Sequence, residues 1–269
     1  MVKAPGRTEG LAAKNANAGL PIWFLELHSV PGTPVGMTWR LGLFAFILLF
    51  GGGLTRASDL GDVRFDLPVP PWELVQDEER FREFAVKVDA QVERLLAVPA
   101  AIDDVAVLGR LLAIRVHLAH YFARDEQAVL TAAWIRSLQS NPADRAFAGL
   151  ATLASVAARR AHPGSAPHEP AYRDSFKREF SRQLAGLPAS PEIVAMLRGQ
   201  RGKIASITAA ALSAETRDVI APALARQGYC GLEGADQLVR VRHRLVGVLP
   251  IREEILAALD AAISERSSR

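Results

Sequence analysis

The stretch 72–98, WELVQDEERFREFAVKVDAQVERLLAV, decides the fold class. Its apolar residues recur at steps of three and four: Leu74, Phe81, Phe84, Val88, Val92 and Leu95. This spacing places them on one face of an α-helix, while the charged residues between them face water. The stretch therefore predicts a helix that begins near Trp72 and ends before Pro99.

The chain after residue 98 repeats this helical pattern. Further helices are predicted at about residues 102–122, 125–140, 142–160, 172–184, 191–212, 214–226, 234–246 and 250–265. Asn141 before Pro142 and Ser190 before Pro191 are typical helix starts, because a polar cap precedes a proline at the first helical position. The sequence thus predicts an all-α bundle of about nine helices. We expect these side chains to be buried: Phe81, Phe84, Leu111, Leu118, Trp134, Phe176, Phe180 and Leu259.

A proline-rich segment interrupts the helical part of the chain. Residues 161–171, AHPGSAPHEPA, hold three prolines and one glycine, which are incompatible with a regular element. We interpret this segment as a linker between two helical subdomains, 72–160 and 172–266. Residues 58–71 are also proline-limited and predict an extended arm before the first helix.

An apolar run near the N-terminus, LGLFAFILLFGGGL at 41–54, indicates export. Arg40 precedes the run, and Thr55 and Ala57 place small residues at −3 and −1 of a cut after Ala57. The run has 14 residues and includes three consecutive glycines near its end, whereas a membrane-spanning helix needs about 20 apolar residues. Residues 37–57 therefore predict a cleaved signal peptide and a periplasmic or secreted protein. The alternative is an uncleaved inner-membrane anchor at 41–54.

The signal begins at Met37 and not at Met1. Residues 1–36 are rich in Gly, Ala and Pro and show no helical or strand periodicity. In one interpretation, translation starts at Met37 and residues 1–36 are a mis-assigned start. In the other, residues 1–36 are an unstructured leader or cytoplasmic tail.

The charge of the chain gives no indication of a nucleic-acid partner. The full chain has 32 basic and 29 acidic residues, but five basic and only two acidic residues lie before residue 58. The part that remains after cleavage is therefore formally neutral. Cys230 is the only cysteine, so no intramolecular disulfide is possible in an oxidising compartment. The alternatives for its thiol are a buried apolar role, an intermolecular bridge or a reactive group.

Two histidines at i and i+3, His117 and His120, project from one face of the predicted helix 102–122. Such a pair supplies half of a metal site when other helices add ligands. The alternative is a polar edge formed together with Arg110 and Arg115.

Basic residues on two later helices form a second candidate site: Arg198, Arg201, Lys203, Arg240 and Arg244. If they converge, they predict a surface for an anionic ligand, an acidic partner or lipid headgroups. The alternative is a solvated face in which each cation is paired with a nearby carboxylate.

No sequence motif for a catalytic residue or a cofactor is present, since the chain lacks a phosphate loop, a haem-attachment pair of cysteines and a nucleophile elbow. We therefore expect a non-enzymatic binding or interaction module of the bacterial cell envelope, with an envelope protein or an anionic surface as partner. One alternative is an exported enzyme or metal-binding protein that uses His117 and His120. Another is a small-molecule carrier with a pocket between the two helical halves.

Overall fold

The computed structural model describes residues 64–227 and 231–268. The predicted leader at 1–36, the predicted signal peptide at 37–57 and Cys230 lie outside these described residues. Within them the chain is helical and forms no β-strand, so the all-α prediction is confirmed.

The helices are numbered in chain order. The first five are α1 (Pro71–Gln76), α2 (Glu78–Leu96), α3 (Pro99–Asp103), α4 (Val105–Tyr121) and α5 (Asp125–Leu138). They are followed by α6 (Pro142–Phe147), α7 (Leu150–Ala161), α8 (Pro170–Ala185) and α9 (Pro191–Ala205). The last four are α10 (Ala209–Glu215), α11 (Ala221–Gln227), α12 (Leu232–His243) and α13 (Arg252–Ser267).

Aspartate caps divide two helices that the sequence analysis treated as continuous. The predicted helix 72–98 is α1 followed by α2, and the Asp77 carboxylate accepts from the Arg80 N–H at 3.0 Å. Asp104 likewise accepts from the N–H groups of Ala106 and Val107 at 2.9 and 3.1 Å and starts α4. An aspartate at such a position satisfies N–H groups that would otherwise lack a partner, so it favours a new helix start.

Gly149 divides the predicted helix 142–160 into α6 and α7. Its φ of 82° lies in the left-handed region, which glycine adopts without steric cost. A Cβ at this position would lie 3.0 Å from the Cβ of Ala132 on α5. The turn therefore needs glycine both for its backbone conformation and for the close approach of α5.

Two π-helical turns precede prolines. Thr216–Ile220 joins α10 to α11 just before Pro222, and Arg244–Val248 follows α12 just before Pro250. Proline donates no backbone hydrogen bond and crowds the carbonyl of the fourth residue before it. A π-helical turn accommodates this defect by widening the helix locally. The chain thus continues through both prolines without leaving the helical path.

Two main apolar cores hold the helices together. The first joins residues of α2 and α4, such as Phe81 and Leu118, to residues of α12, such as Leu238. The second joins α7, α8, α9 and α13, with Phe176 and Leu259 among its buried residues. Helices α7 and α8, which flank the segment 161–171, pack against each other. The division between the cores therefore does not coincide with the predicted subdomain boundary at 161–171.

Seven of the eight side chains predicted to be buried are buried, and Trp134 is not. Trp134 is 52% exposed, and α5 instead buries Ala128, Thr131 and Ala132. These small residues allow α5 to pack closely against α4 and α7. Leu130 and Trp134 are consequently left exposed, whereas Val129 and Ile135 pack partly buried against the same small residues, which corrects the predicted orientation of this helix.

The arm before α1 contributes to the first core. Phe65 is buried, and its ring lies 5.8 Å from the ring of Phe84 in an edge-to-face arrangement. Across the described residues, no helix is both long and apolar enough to cross a membrane.

Candidate functional site

A cavity of about 200 Å³ lies between α4, α7, α12 and the segment before α8. Its lining includes His117, His120, Ser155, Arg159, Tyr172 and His243. We call it the histidine cavity. The remaining wall is mainly apolar or aromatic, includes Phe81, Val239 and Val246, and also contains Arg242.

The helix positions explain why three imidazoles meet here. His117 and His120 lie one turn apart near the end of α4, and His243 is the last residue of α12, which packs against α4. The rings of His117 and His243 are stacked, with centroids 4.5 Å apart and planes at 30°. The rings of His120 and His243 are 5.5 Å apart.

Gly247 in the second π-helical turn makes room for His243. A Cβ on Gly247 would lie 3.2 Å from Nδ1 and 3.3 Å from Cε1 of the His243 ring. Such contacts are too close to be accommodated without movement of the imidazole. The absence of a side chain at Gly247 therefore allows the backbone to approach the His243 ring closely.

Arg159 on α7 links the cavity to α5. Its Nε lies 2.7 Å from Oδ1 of Asp125, and its Nη2 donates to the same oxygen. Its Nη1 lies 3.1 Å from Nδ1 of His120. A guanidinium group only donates hydrogen bonds, so we assign the lone pair of His120 to Nδ1 and its hydrogen to Nε2.

All three histidines are held in the neutral form. Burial lowers the pKa of His117 and His120 well below 6.5, and neighbouring positive charges, from Arg240 on His117 and Arg159 on His120, lower them further. Burial lowers the pKa of His243 to about 4, helped by Arg159 and Arg244. Desolvation disfavours the imidazolium form, and nearby guanidiniums disfavour it again. The cavity therefore presents uncharged imidazoles at neutral pH.

A second guanidinium, that of Arg242, closes one side of the cavity. Arg242 is 5% exposed and donates to the carbonyl oxygens of Val75 and Gln76 at 2.8 and 3.3 Å. It also pairs with the carboxylate of Glu78. These bonds satisfy the carbonyls at the end of α1, so Arg242 has a structural role.

Tyr121 shares the same carboxylate. Its hydroxyl donates to Oε1 of Glu78 at 2.8 Å. Burial, followed by this hydrogen bond to Glu78, raises the pKa of Tyr121 to about 12. The phenol is therefore protonated at neutral pH and cannot act as a base there.

The geometry of the cavity supports the predicted metal site in one respect and opposes it in two. The structure places His117 and His120 in one cavity and adds His243, which the sequence analysis did not include. However, no three His, Cys, Asp or Glu side chains of the described residues are arranged to hold a metal ion. The hydrogen bond from Arg159 also assigns a hydrogen to the Nε2 atom of His120, and a protonated nitrogen cannot ligate a metal. This geometry favours a hydrogen-bonding role for His120.

The basic residues of the second candidate site lie on helices with different neighbours. Arg198, Arg201 and Lys203 are on α9, which packs against α13, whereas Arg240 is on α12, which packs against α4. Arg244 lies in the turn after α12.

Carboxylates neutralise three of these residues. Arg201 pairs with Asp260 at 2.6 Å, Arg240 pairs with Asp236 at 2.6 Å, and Arg244 donates two bonds to Glu215 at 2.7 and 2.8 Å. This pairing removes the unbalanced charge on which the anion-binding prediction depended, and the prediction itself stays untested.

His243, Arg159 and Gly247 are the site residues that the sequence analysis missed. Arg159 and His243 lie on helices distant from α4 in sequence, so no local spacing connects them to His117. Comparison with known proteins adds no further assignment, since no protein-family model, curated protein or solved structure matches the chain.

Proposed function

We propose that this chain is an exported helical binding protein that holds a small molecule in the histidine cavity. The observation that carries the proposal is the cavity itself, which is left open between packed helices and is lined by polar groups. Interiors of proteins are normally close-packed, with few voids larger than a water molecule. A partly open cavity whose lining combines apolar and aromatic side chains with a few polar groups is typical of a ligand site, although sites for drug-sized ligands are larger, at about 300–1,000 Å³.

The size of the cavity limits the ligand. An engineered cavity of roughly 150 Å³ in another protein binds benzene. The histidine cavity, at about 200 Å³, therefore suits a compound a few heavy atoms larger than benzene. A ligand of this size is a small metabolite. A peptide or a nucleotide is too large for the cavity to enclose fully.

The chemistry of the lining favours binding over catalysis. The carboxylates near the cavity, Asp125 and Glu78, are each bound to a guanidinium. The Tyr121 hydroxyl is bound to Glu78, and the imidazoles are neutral. The cavity thus offers hydrogen-bond donors and ring surfaces, without a nucleophile activated by an adjacent base.

A filled-cavity variant tests the proposal. Val246 lines the cavity, so Val246→Phe places a ring in the space that a ligand needs. Val219 is 61% exposed on the π-helical turn between α10 and α11, so Val219→Phe is the matched control. Wild type and both variants are screened by thermal shift against small acids, amines, amides and sugars. We expect the screen to find compounds that raise the Tm of the wild type and of Val219→Phe but not that of Val246→Phe.

The size of the response follows from linkage. A ligand at a hundred times its Kd stabilises the folded state by about 2.7 kcal/mol. For a domain of this size, that corresponds to a rise in Tm of roughly 5–10 °C. If no compound in the screen distinguishes wild type from Val246→Phe, the histidine cavity is not a ligand site and the proposal fails.

A metal-binding function is the second candidate, because the rings of His117 and His120 lie 4.5 and 5.5 Å from the ring of His243. These three side chains of the described residues are not arranged to hold a metal ion, so this candidate requires them to reorient. Neutral imidazole is the form that ligates zinc, nickel and copper. Elemental analysis of purified protein decides this candidate. Stoichiometric metal that is lost in His117→Ala and His120→Ala would establish it, and metal-free wild type would remove it.

Export is part of the proposal and rests on the sequence of residues 37–57. We expect the protein in the source cell to begin at Ser58 and to fractionate with the periplasm or the medium. N-terminal sequencing of the cellular protein measures this. Membrane-bound protein that retains Arg40 would instead support the anchor at 41–54.

A further inference from the structure

We propose that the histidine cavity binds a small aromatic carboxylate, whose carboxylate group is received by Arg159 and His120. This inference rests on the proposed function, because it names the class of ligand for the same cavity. It is argued from the donors, the charge and the shape of the lining.

Arg159 retains donors for a ligand. A guanidinium has five N–H groups, and the contacts of Arg159 use Nε and Nη2 for Asp125 and one hydrogen of Nη1 for His120. Asp125 binds the Nε edge of the guanidinium and is not part of the cavity lining. Two N–H groups, one on Nη1 and one on Nη2, remain for a ligand, and Arg159 is part of the cavity lining. Paired N–H groups of this kind match the two oxygens of a carboxylate.

His120 supplies a second donor. Because its Nδ1 accepts from Arg159, its Nε2 carries the hydrogen, and the ring can donate from that nitrogen. The cavity thus combines N–H groups of an imidazole and a guanidinium. A cationic ligand would meet donors on this side and no free carboxylate, so the lining selects against cations.

The positive charge of Arg159 reaches across the cavity. It disfavours the charged forms of His120 and His243, and it favours the anionic form of Tyr172, and all three residues line the cavity. An anionic ligand placed among these three residues experiences the same potential and is stabilised by it. The pairing of Arg159 with Asp125 reduces this attraction, and Asp125 also disfavours the anionic form of Tyr172, but of this pair only Arg159 lines the cavity.

The walls favour an aromatic body for the ligand. Phe81, Tyr121, Tyr172 and the three imidazoles present six rings to the space, and Val239 and Val246 add apolar surface. Aromatic groups prefer stacked or edge-to-face contact with such rings. The volume of about 200 Å³ exceeds the roughly 150 Å³ that encloses benzene by about the volume of a carboxylate group. A benzoate-sized molecule therefore fits.

Three probes of similar size and different charge test the inference by calorimetry on the purified protein: benzoate, benzamide and benzylammonium. We expect benzoate to bind, and its Kd to be at least about tenfold lower than that of benzamide, because charge-assisted hydrogen bonds are stronger than neutral ones. Benzylammonium should not bind.

Charge-matched variants connect the result to Arg159. Arg159→Gln should raise the Kd for benzoate by about tenfold or more, while benzamide binding changes little. Arg160, the next residue on α7, is exposed, so Arg160→Gln removes the same charge without touching the cavity and should leave the Kd unchanged. Arg159→Gln leaves Asp125 unpaired, so the double variant Arg159→Gln, Asp125→Asn restores the balance of charge if the single variant unfolds.

Two outcomes overturn the inference. One is benzamide binding as tightly as benzoate, and the other is no binding of benzoate at 10-mM concentration, which is roughly the weakest affinity that a small anion in such a site would show. In either case the proposed function stands or falls separately, on whether any compound in the wider screen distinguishes wild type from Val246→Phe.

Discussion

The neutral histidine cluster should make the stability of the folded protein depend on pH below neutrality. The perturbation we consider is His243→Asn, which removes the histidine whose pKa is about 4 and keeps a polar side chain in its place. His243 is faced by His117 and His120 from α4, by Arg159 from α7 and by Arg244 from the turn that follows it. None of these groups favours the imidazolium form.

The sign and size follow from linkage. The unfolded chain takes up the proton of His243 below about pH 6.5, whereas the folded chain takes it up only below about pH 4. The contribution of the neutral ring to the free energy of unfolding is therefore fully present above pH 6.5. It is lost as the pH falls from 6.5 towards 4. Over the whole window the loss is about 3 kcal/mol, and between pH 7 and pH 5 it is about 2 kcal/mol.

Urea unfolding of the wild type and the variant at pH 7 and pH 5 measures this difference. Other groups titrate in the same range, so the relevant quantity is how much more stability the wild type loses than His243→Asn. We expect an excess loss of about 2 kcal/mol in the wild type. His168→Asn, which removes an exposed histidine, should lose as much as the wild type. Equal losses in wild type and His243→Asn would show that this histidine is not held neutral by its surroundings.

Three further substitutions test the packing around the site and the cores. Phe180→Ala should lower the free energy of unfolding by about 3–5 kcal/mol, because the ring is 1% exposed in the second core; chemical denaturation measures it. Gly149→Ala should cost more than about 1 kcal/mol in the same assay, since φ is 82° and the new methyl would meet Ala132. Gly247→Ala should move the ring of His243 and shift its NMR resonances, and an unchanged spectrum would contradict the close contact.

The spacing of apolar residues was enough to predict the fold class and most of the core. On α8, Tyr172, Phe176 and Phe180 recur at four-residue steps, and all of them are buried. A strand would also place these positions on one face, but it would put the charged Asp174 and Arg178 among them, so the pattern favours a helix. The same reasoning failed for Trp134, which is exposed. Helix α5 packs through alanines instead, and only its neighbours reveal which of its faces they cover.

Helix boundaries were less predictable, because the caps lie inside runs that look continuous. Asp77 and Asp104 end one helix and begin the next within stretches that keep a helical pattern of apolar residues. The sequence shows the aspartates but not that the backbone turns there. That depends on how α1 and α3 pack against their neighbours, which spacing alone does not determine.

The candidate site was half predictable. His117 and His120 could be recognised as a pair, since an i, i+3 relation is a property of one helix. His243 and Arg159 join them only through the packing of α12 and α7 on the rest of the bundle. These partners also change the chemistry of the histidine pair, which by itself resembles half of a metal site. The Arg159 guanidinium donates to Nδ1 of His120, so His120 acts as a hydrogen-bonding group rather than as a free metal ligand.

The polar lining of the cavity is difficult to explain by stability. Burying a guanidinium and its carboxylate partner costs desolvation, and replacing such pairs with apolar residues is often neutral or stabilising. Because three imidazoles are held neutral, the free energy of unfolding decreases as the pH falls. The open volume of the cavity also lacks the van der Waals contacts that a larger side chain would make there. Val246→Phe should therefore leave the folded protein as stable as the wild type, or more stable, while it abolishes ligand binding. That combination is expected of a binding site, where stability is lower than the fold allows. A variant that loses both stability and binding would instead assign the cavity and its polar groups to the architecture of the bundle.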